Sequence, residues 1–379
     1  MVRLGISGFG RISRVVIRAS LDKDDVEIAG INWRNADLDY AVYQLKYDTT
    51  FGRFPASIEK YDKGIIIDGK KIPVFSEGEA KNIPWGDCGA DYIVEGTGAY
   101  NTTEKAEDHL RAGAKKVIIS APAKDLITPT FVYGVNNHEY RSDMHVVSNA
   151  SCTTNCLAPV CKVIHENWGI EQGLMSTIHS ATAKQKVVDS RSAKDWRTGR
   201  AVFGNVIPST TGAAKAVGRV IPELYGRMTG ISYRVPTSDV SVIDLNIITS
   251  HSTSYENICR EMKKASETYL KGILEYVDDE VVSSDFIGDP CTSIFDAREG
   301  LELNERFFKI IAFYDNEFGY STQLVNMVRY MGEVDAADES AEAHTTGEAA
   351  DIAADKAIEK LEEKAPETAK QMKKSKTEK

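Results

Sequence analysis

The chain has 379 residues, of which 42% are hydrophobic and 27% are charged, and its net charge is −10. This composition is typical of a globular protein with two or three domains, and the acidic balance argues against a surface that binds nucleic acid. The sequence has no apolar run of about 18 residues and no signal-peptide pattern at its start, so it predicts a cytoplasmic protein with reduced thiols and no membrane association.

The first part of the chain alternates strands with helices. VRLGIS is a short apolar strand, GFGRIS is a Gly-rich turn, and the helix that follows places Val15, Val16 and Ala19 on one face. The runs VEIAGIN, DYIVE, KKVIIS and HVVS continue the pattern less clearly. This order indicates an α/β half with a mostly parallel sheet covered by helices.

From about Gly169 the pattern changes. GLMSTIHSATA, GISYRV and SVIDLNIIT alternate apolar with polar residues at close spacing, as in an antiparallel sheet, and SYENICREMKKASETYLKGIL is an amphipathic helix. We therefore expect an α+β second half.

After about Gly332 the aromatic residues vanish, and Ala, Glu, Asp and Lys dominate. Such a segment buries little apolar surface, so we predict an acidic, flexible C-terminal tail over residues 333–379. AADKAIEKLEEKA within it is compatible with a solvated helix. A tail that docks on a partner is the alternative interpretation.

The turn GFGRIS nearly matches the G-x-G-x-x-G pattern of dinucleotide-binding sites, and it lies between a strand and a helix as that pattern requires. Gly8 permits the tight turn, and Gly10 lets a pyrophosphate approach the backbone at the helix N-terminus. Ser13 stands in the place of the third glycine and is small enough for the helix and strand to pack closely.

The acidic residue that should hold the adenosine ribose about twenty positions further on is missing. INWRN has Trp33 and Arg34 there. In one interpretation Arg34 reaches a ribose 2′-phosphate, which implies that the site tolerates NADP. In the other, Arg34 is an exposed basic side chain beside a packing Trp33, and other contacts hold NAD.

Two cysteines, Cys152 and Cys156, lie four positions apart in SNASCTTNCLAP. Structural zinc sites usually have four ligands in two close pairs, and the other cysteines form no second pair, so we expect no metal site. If a helix begins here, Cys156 faces inward and is a small buried hydrophobic residue.

Cys152 is the candidate nucleophile, because it lies at the predicted N-terminus of that helix, where free backbone N–H groups stabilise a thiolate. A nucleophilic thiol also needs a base nearby. His179, at a strand end among small polar residues, is the best candidate of the seven histidines.

Groups that bind anions occur around both residues and indicate a phosphorylated carbonyl substrate. They are Ser151, Thr153, Thr182, Thr211, Gly212 and Arg234.

Seven motifs resemble the phosphorylating (type I) glyceraldehyde-3-phosphate dehydrogenase family over Met1 to about Met331. They are SNASCTTNCLAP, GFGRI, YDTTFGRF, KDWRTGR, IPSTTGAAKAVGRVIPEL, RVPTSDVSVIDL and YDNEFGYS. The resemblance implies a homotetramer in which the segment from Ala181 to about Pro208 lines a neighbouring subunit's cofactor site. It also implies a Rossmann-like cofactor domain (1–150), a catalytic domain with a mostly antiparallel sheet (151–316) and a C-terminal helix (317–332) that packs back on the cofactor domain.

The resemblance also implies the reaction and the role of each residue. Cys152 would add to the aldehyde of glyceraldehyde 3-phosphate, His179 would remove the proton, and inorganic phosphate would cleave the resulting thioester to 1,3-bisphosphoglycerate. Thr182 and Arg234 would hold the phosphate of the substrate. The attacking phosphate would contact Ser151, Thr153, Thr211 and Gly212, and the NAD or NADP cofactor would contact Arg11, Ile12, Thr97, Ser120 and Asn316.

Departures from the family cluster in the cofactor half. Besides Trp33, Ser7 and Ser13 stand where Asn and Gly are usual, EGTG replaces ESTG at Gly96, and Gly78 stands where an arginine is common. They leave the preference between NAD and NADP open. Two rival functions also stay open, an erythrose-4-phosphate dehydrogenase and a non-catalytic cofactor-binding scaffold.

Overall fold

The computed structural model describes residues 1–193 and 195–364. Its helices are α1 (Arg11–Ala19), α2 (Leu38–Lys46), α3 (Trp85–Cys88), α4 (Thr103–Arg111), α5 (Cys152–Trp168), α6 (Ala213–Val220), α7 (Tyr255–Glu267) and α8 (Phe318–Lys364). The strands of the first half are β1 (Val2–Ser7), β2 (Val26–Asn32), β3 (Tyr47–Asp48), β4 (Gly52–Arg53), β5 (Ile58–Tyr61), β6 (Gly64–Ile67), β7 (Lys70–Phe75), β8 (Tyr92–Glu95), β9 (Lys116–Ile119) and β10 (Val146–Ser148). Those of the second half are β11 (Ile170–His179), β12 (Ile207–Thr210), β13 (Met228–Arg234), β14 (Ser241–Thr249), β15 (Leu274–Val277), β16 (Ser293–Asn304) and β17 (Phe307–Tyr314).

The N-terminal sheet has the strand order β10-β9-β8-β1-β2-β7-β6-β5. The pairs from β10 to β7 are parallel, and only the β7-β6-β5 end is antiparallel. The prediction of a mostly parallel α/β sheet is therefore confirmed. Because β1 and β8 lie side by side in the centre, the turns after Ser7 and Glu95 meet at one edge of the sheet, where doubly wound folds bind their ligands.

The second sheet has the order β12-β13-β11-β14-β17-β16-β15 and is mostly antiparallel, as predicted. Two pairings differ from the sequence expectation, since β13 runs parallel to β11 and β15 runs parallel to β16. Apolar and polar residues alternate in the same way along parallel and antiparallel strands that bury one face, so the sequence pattern did not reveal that these strands are parallel. The parallel register sets His179 directly beside Arg234 at the strand ends.

Helix α5 forms the centre of the second core. Cys156, Leu157, Val160 and Ile164 are fully buried on it, and they pack against the second sheet and α6. Burying a leucine or isoleucine side chain stabilises a fold by about 1.5–3 kcal/mol. This packing fixes the direction of α5 and therefore the place of its first residue, Cys152.

The C-terminal helix α8 continues through the predicted tail as far as Lys364, in agreement with the solvated helix considered within it. The chain divides into two compact units, Met1–Tyr330 and Met331–Lys379. Residues 365–379 of the predicted flexible tail lie outside the described residues, and the predicted domain boundaries stay a prediction. Across the described part of the chain, none of the helices combines the length and the apolar character that a membrane span requires.

Candidate active site

The segment before Cys152 has a strained backbone. Ala150 has a φ of +55°, which is rare for a residue with a side chain and is typical of functional sites. The hydroxyl of Tyr320 donates to the Ala150 carbonyl over 3.1 Å. Ser151 then caps α5, since its hydroxyl accepts from the Thr154 amide over 3.1 Å, and Cys152 is the first residue of the helix.

Cys152 and His179 are in contact. The Sγ atom lies 3.5 Å from Nε2 of the imidazole. The Nδ1 atom of the same ring faces two groups with opposite demands, because Arg234 Nη1 at 2.6 Å can only donate and the Ser180 carbonyl at 2.9 Å can only accept. With Arg234 donating to Nδ1, the proton of a neutral ring lies on Nε2, toward Cys152.

Burial determines the charge state of the pair. It raises the pKa of the Cys152 thiol, although the positive charge of Arg234 acts in the opposite direction. Burial, followed by the charge of Arg234, lowers the pKa of His179 to about 3. The pair is therefore a neutral thiol and a neutral imidazole. The sequence led us to expect that the N-terminus of α5 would stabilise a thiolate, but the effect of burial on the pKa of Cys152 is larger.

A cavity of about 390 Å³ opens beside this pair. It brings together many of the residues that the sequence singled out. These are Arg11, Ile12, Ser120, Ser151, Cys152, His179, Thr182, Arg234 and Asn316.

Three of the predicted phosphate ligands lie elsewhere. The Thr153 hydroxyl is buried and contacts the Tyr314 hydroxyl over 2.8 Å. Thr211 lines a second cavity of about 880 Å³, together with Arg197 and Lys215. Gly212 precedes α6 as its N-cap.

Asn316 has a fixed orientation. Its Oδ1 accepts from the Ser180 hydroxyl over 2.8 Å and from the Ser241 hydroxyl over 2.6 Å. The amide NH2 is thus left to donate into the cavity, as recognition of a carboxamide oxygen requires. The sequence did not identify Ser180, Ser241 or Tyr314, although Ser241 and Tyr314 lie within the listed motifs, because their roles depend on contacts with residues far away in the chain.

The cofactor half fits a dinucleotide. Gly8 has a φ of +97°, and a Cβ added to Gly10 would meet no atom within 4 Å, so a pyrophosphate can approach the start of α1 closely. The Arg11 side chain is held by Asp48 and Glu317, which leaves its backbone N–H at the helix N-terminus for the ligand.

The other predicted cofactor residues lie around this turn. Thr97 donates from its amide to Glu95 Oε1 over 2.8 Å. The Trp33 ring stacks on Phe9 with 5.1 Å between ring centroids, and Arg34 is exposed.

A doubly wound nucleotide-binding sheet beside a buried cysteine–histidine pair defines a dinucleotide-dependent oxidoreductase. Residues 2–103 match the family model described as the NAD-binding domain of glyceraldehyde 3-phosphate dehydrogenase, and residues 151–316 match its C-terminal domain. The chain belongs to the glyceraldehyde 3-phosphate dehydrogenase family, and it is a nicotinamide-dependent dehydrogenase.

Curated relatives agree over most of the chain. Glyceraldehyde-3-phosphate dehydrogenase 1 of Mucor circinelloides is 55% identical over 89% of this chain and 99% of the relative. The enzyme of Ogataea parapolymorpha is 54% identical over 88% and 99%. The relative from Gracilaria gracilis named cytosolic is 52% identical over 88% and 98%.

Proposed function

We propose that Cys152 and His179 carry out the reaction of this family, the phosphorylating oxidation of glyceraldehyde 3-phosphate to 1,3-bisphosphoglycerate with reduction of a nicotinamide cofactor. The observation that supports these roles is the 3.5 Å contact between Sγ and Nε2 in a cavity that also presents Arg234 and Asn316. A nucleophile in contact with a base is the arrangement that covalent catalysis requires.

The chain's own groups account for the proton movements. When Arg234 turns to the phosphate of the substrate, Nδ1 of His179 is free to donate to the Ser180 carbonyl, and Nε2 can accept a proton. Cys152 then adds to the aldehyde carbon while its thiol proton passes by way of Nε2 to the carbonyl oxygen, which gives the thiohemiacetal hydroxyl. Nε2 of His179 afterwards takes the proton of this hydroxyl as a hydride leaves the same carbon. The bound nicotinamide supplies the hydride acceptor. Inorganic phosphate cleaves the thioester that remains, which frees Cys152.

Two phosphate groups need separate binding residues. We assign the phosphate of the substrate to Thr182 and Arg234, which line the same cavity as His179. Ser151, beside Cys152, contacts the attacking phosphate. The assignment of Thr153, Thr211 and Gly212 to that second phosphate rests on the family resemblance.

We assign the cofactor to the turn with Gly8 and Gly10, the start of α1 at Arg11 and Ile12, and Thr97, Ser120 and Asn316. Both NAD and NADP are accepted, because no carboxylate stands at Trp33 to repel a 2′-phosphate. Arg34 is exposed and forms no ion pair among the described residues, so it is available for that phosphate.

We also propose a cytoplasmic homotetramer with the domain boundaries given above. The segment 181–208 supports this assembly, because it exposes a series of large apolar side chains, which is typical of a protein interface. They are Val187, Val188, Trp196, Phe203 and Val206.

The test is an assay of purified protein with glyceraldehyde 3-phosphate and inorganic phosphate, run side by side with NAD and NADP. We expect reduction of both cofactors and a loss of at least about 1,000-fold in kcat for Cys152→Ser, because alcohol oxygen is a poor nucleophile at neutral pH. Erythrose 4-phosphate in a parallel arm should turn over more slowly. No reduced cofactor with either aldehyde would refute the proposal, and full activity of Cys152→Ser would refute the mechanism.

A further inference from the structure

Two of the residues that depart from the family pattern touch each other. Ser13 is the third residue of α1 and is fully buried, and Gly96 directly follows β8. A Cβ built on Gly96 would overlap the Ser13 hydroxyl and would lie 3.2 Å from the Ser7 carbonyl. A side chain at residue 96 therefore requires the Ser13 hydroxyl to turn away or α1 to move.

The contact lies directly beneath the cofactor site. Strands β1 and β8 pair in parallel with Ser7 opposite Glu95, and the Gly96 amide donates to the Ser7 carbonyl over 2.8 Å. A Cβ on Gly8 would be 3.1 Å from the Thr97 nitrogen, so the Gly-rich turn is packed against the turn after β8. Gly96 lines the same cavity as the first turn of α1.

The Ser13 hydroxyl has no hydrogen-bond partner in the described part of the chain, although it is buried. A buried hydroxyl without a partner is unfavourable, so hydrogen bonding does not explain the serine. Packing explains the serine instead, because its hydroxyl fills the volume that a side chain at residue 96 would occupy.

We propose that Ser13 and Gly96 are a matched pair that sets the distance between the start of α1 and the turn after β8, and thereby positions the groups that bind the cofactor pyrophosphate. Both are positioning residues. The inference rests on the proposed function only in that this site holds a dinucleotide.

The test is a double-mutant cycle of Ser13→Gly, Gly96→Ser and the variant with both changes. NADH and NADPH dissociation constants are measured by fluorescence titration, and Tm and the cofactor KM and kcat are measured beside them. Gly96→Ser should weaken cofactor binding at least about tenfold and lower Tm, because the overlap forces α1 away from β8. Ser13→Gly should weaken it less, since it only opens a small cavity.

The variant with both changes should bind the cofactor within about threefold of the wild type, because a single hydroxyl again occupies the space between α1 and the turn after β8. Gly86→Ser is the control, since a Cβ there meets only ordinary contacts from 3.6 Å outward. If Gly96→Ser fails to fold alone, the double variant carries the test: cofactor binding within about threefold of the wild type supports the proposal, and a larger loss overturns it.

Wild-type binding by Gly96→Ser, or losses that simply add in the double variant, would overturn the proposal. The titration and Tm measurements need no turnover. Failure of the pairing is therefore distinguishable from failure of the proposed reaction.

Discussion

Arg234 acts on both Cys152 and His179. Burial raises the pKa of Cys152 and lowers the pKa of His179, and the positive charge of Arg234 opposes the first shift and adds to the second. Its Nε atom is buried without a hydrogen-bond partner in the described residues, and its Nη1 is shared between His179 and the Ser180 carbonyl. An arginine with unused donors in an active site is suited to accept an anion. If Arg234 binds the substrate phosphate as proposed, the same residue links that binding to the protonation of His179.

Replacement of Arg234 by Gln should raise the pKa of Cys152, because a positive charge that favours the thiolate is removed. We expect the pH profile of Cys152 alkylation by iodoacetamide, measured above pH 7.5 where His179 is neutral, to shift upward by about 1 unit. Arg234→Lys keeps the charge and should shift the profile much less. Superimposable profiles for the Gln variant and the wild type would contradict this role.

The loop between β13 and β14 contains a buried carboxyl group with a strongly raised pKa. Asp239 is buried, and neither of its carboxylate oxygens has a hydrogen-bond partner within the described ranges. Burial raises its pKa to about 8, and the nearby charges of Asp315 and Glu317 contribute. Val240 next to it has a φ of +59°, which is strained for a β-branched residue. This loop therefore stores unfavourable energy beside the strand end that precedes Asn316.

The raised pKa makes stability depend on pH. Between about pH 4, where a free Asp titrates, and about pH 8, the folded protein holds a proton on Asp239 that the unfolded chain has lost, so stability falls as the pH rises. Asp239→Asn removes this loss. We expect a stability gain that grows by about 1 kcal/mol for each pH unit between pH 4 and pH 8, so that the gain is several kcal/mol larger at pH 9 than at pH 5.

Thermal unfolding of Asp239→Asn and the wild type at these two pH values checks the expectation. Asp62→Asn is the control, because Asp62 is exposed. An equal change of Tm at both pH values would show that Asp239 does not titrate as argued.

The elements that the sequence predicted well are those determined by local pattern. The Gly-rich turn before α1 and the start of α5 at Cys152 are both contained in a few consecutive residues. The parallel pairing of β11 with β13 joins His179 to a residue 55 positions away, and Tyr314 reaches Thr153 across 161 positions. Such contacts depend on the register of strands, which periodicity does not encode. For the same reason the sequence showed Ser13 and Gly96 as two departures and not as neighbours.

At the scale of the whole molecule, the compact unit Met1–Tyr330 is tied together by ion pairs between distant segments. Arg11 contacts Asp48 and Glu317, and Arg329 donates to Asp25 over 2.7 Å. These contacts connect the sequence before residue 50 with the C-terminal part of the unit. The segment 181–208, in contrast, directs its apolar side chains to solvent.

The proposed tetramer accounts for that exposure. Trp196 is 87% exposed, and an interface that buries it would contribute one of the large aromatic contacts on which such interfaces depend. Trp196→Glu places a charge there and should reduce the molecular mass at micromolar concentration from a tetramer to a smaller species. It should also raise the cofactor KM, because the same segment is proposed to line a neighbouring cofactor site.

Light scattering coupled to size-exclusion chromatography measures the mass. Leu126→Glu is the matched control, since Leu126 is 89% exposed outside the segment and its change should leave the mass unaltered. A monomeric wild type, or a Trp196→Glu variant with the wild-type mass, would contradict the proposed assembly. Because a charge tolerated on a free surface costs little, whereas one buried in an interface costs several kcal/mol, the comparison of the two variants separates an exposed loop from a covered one.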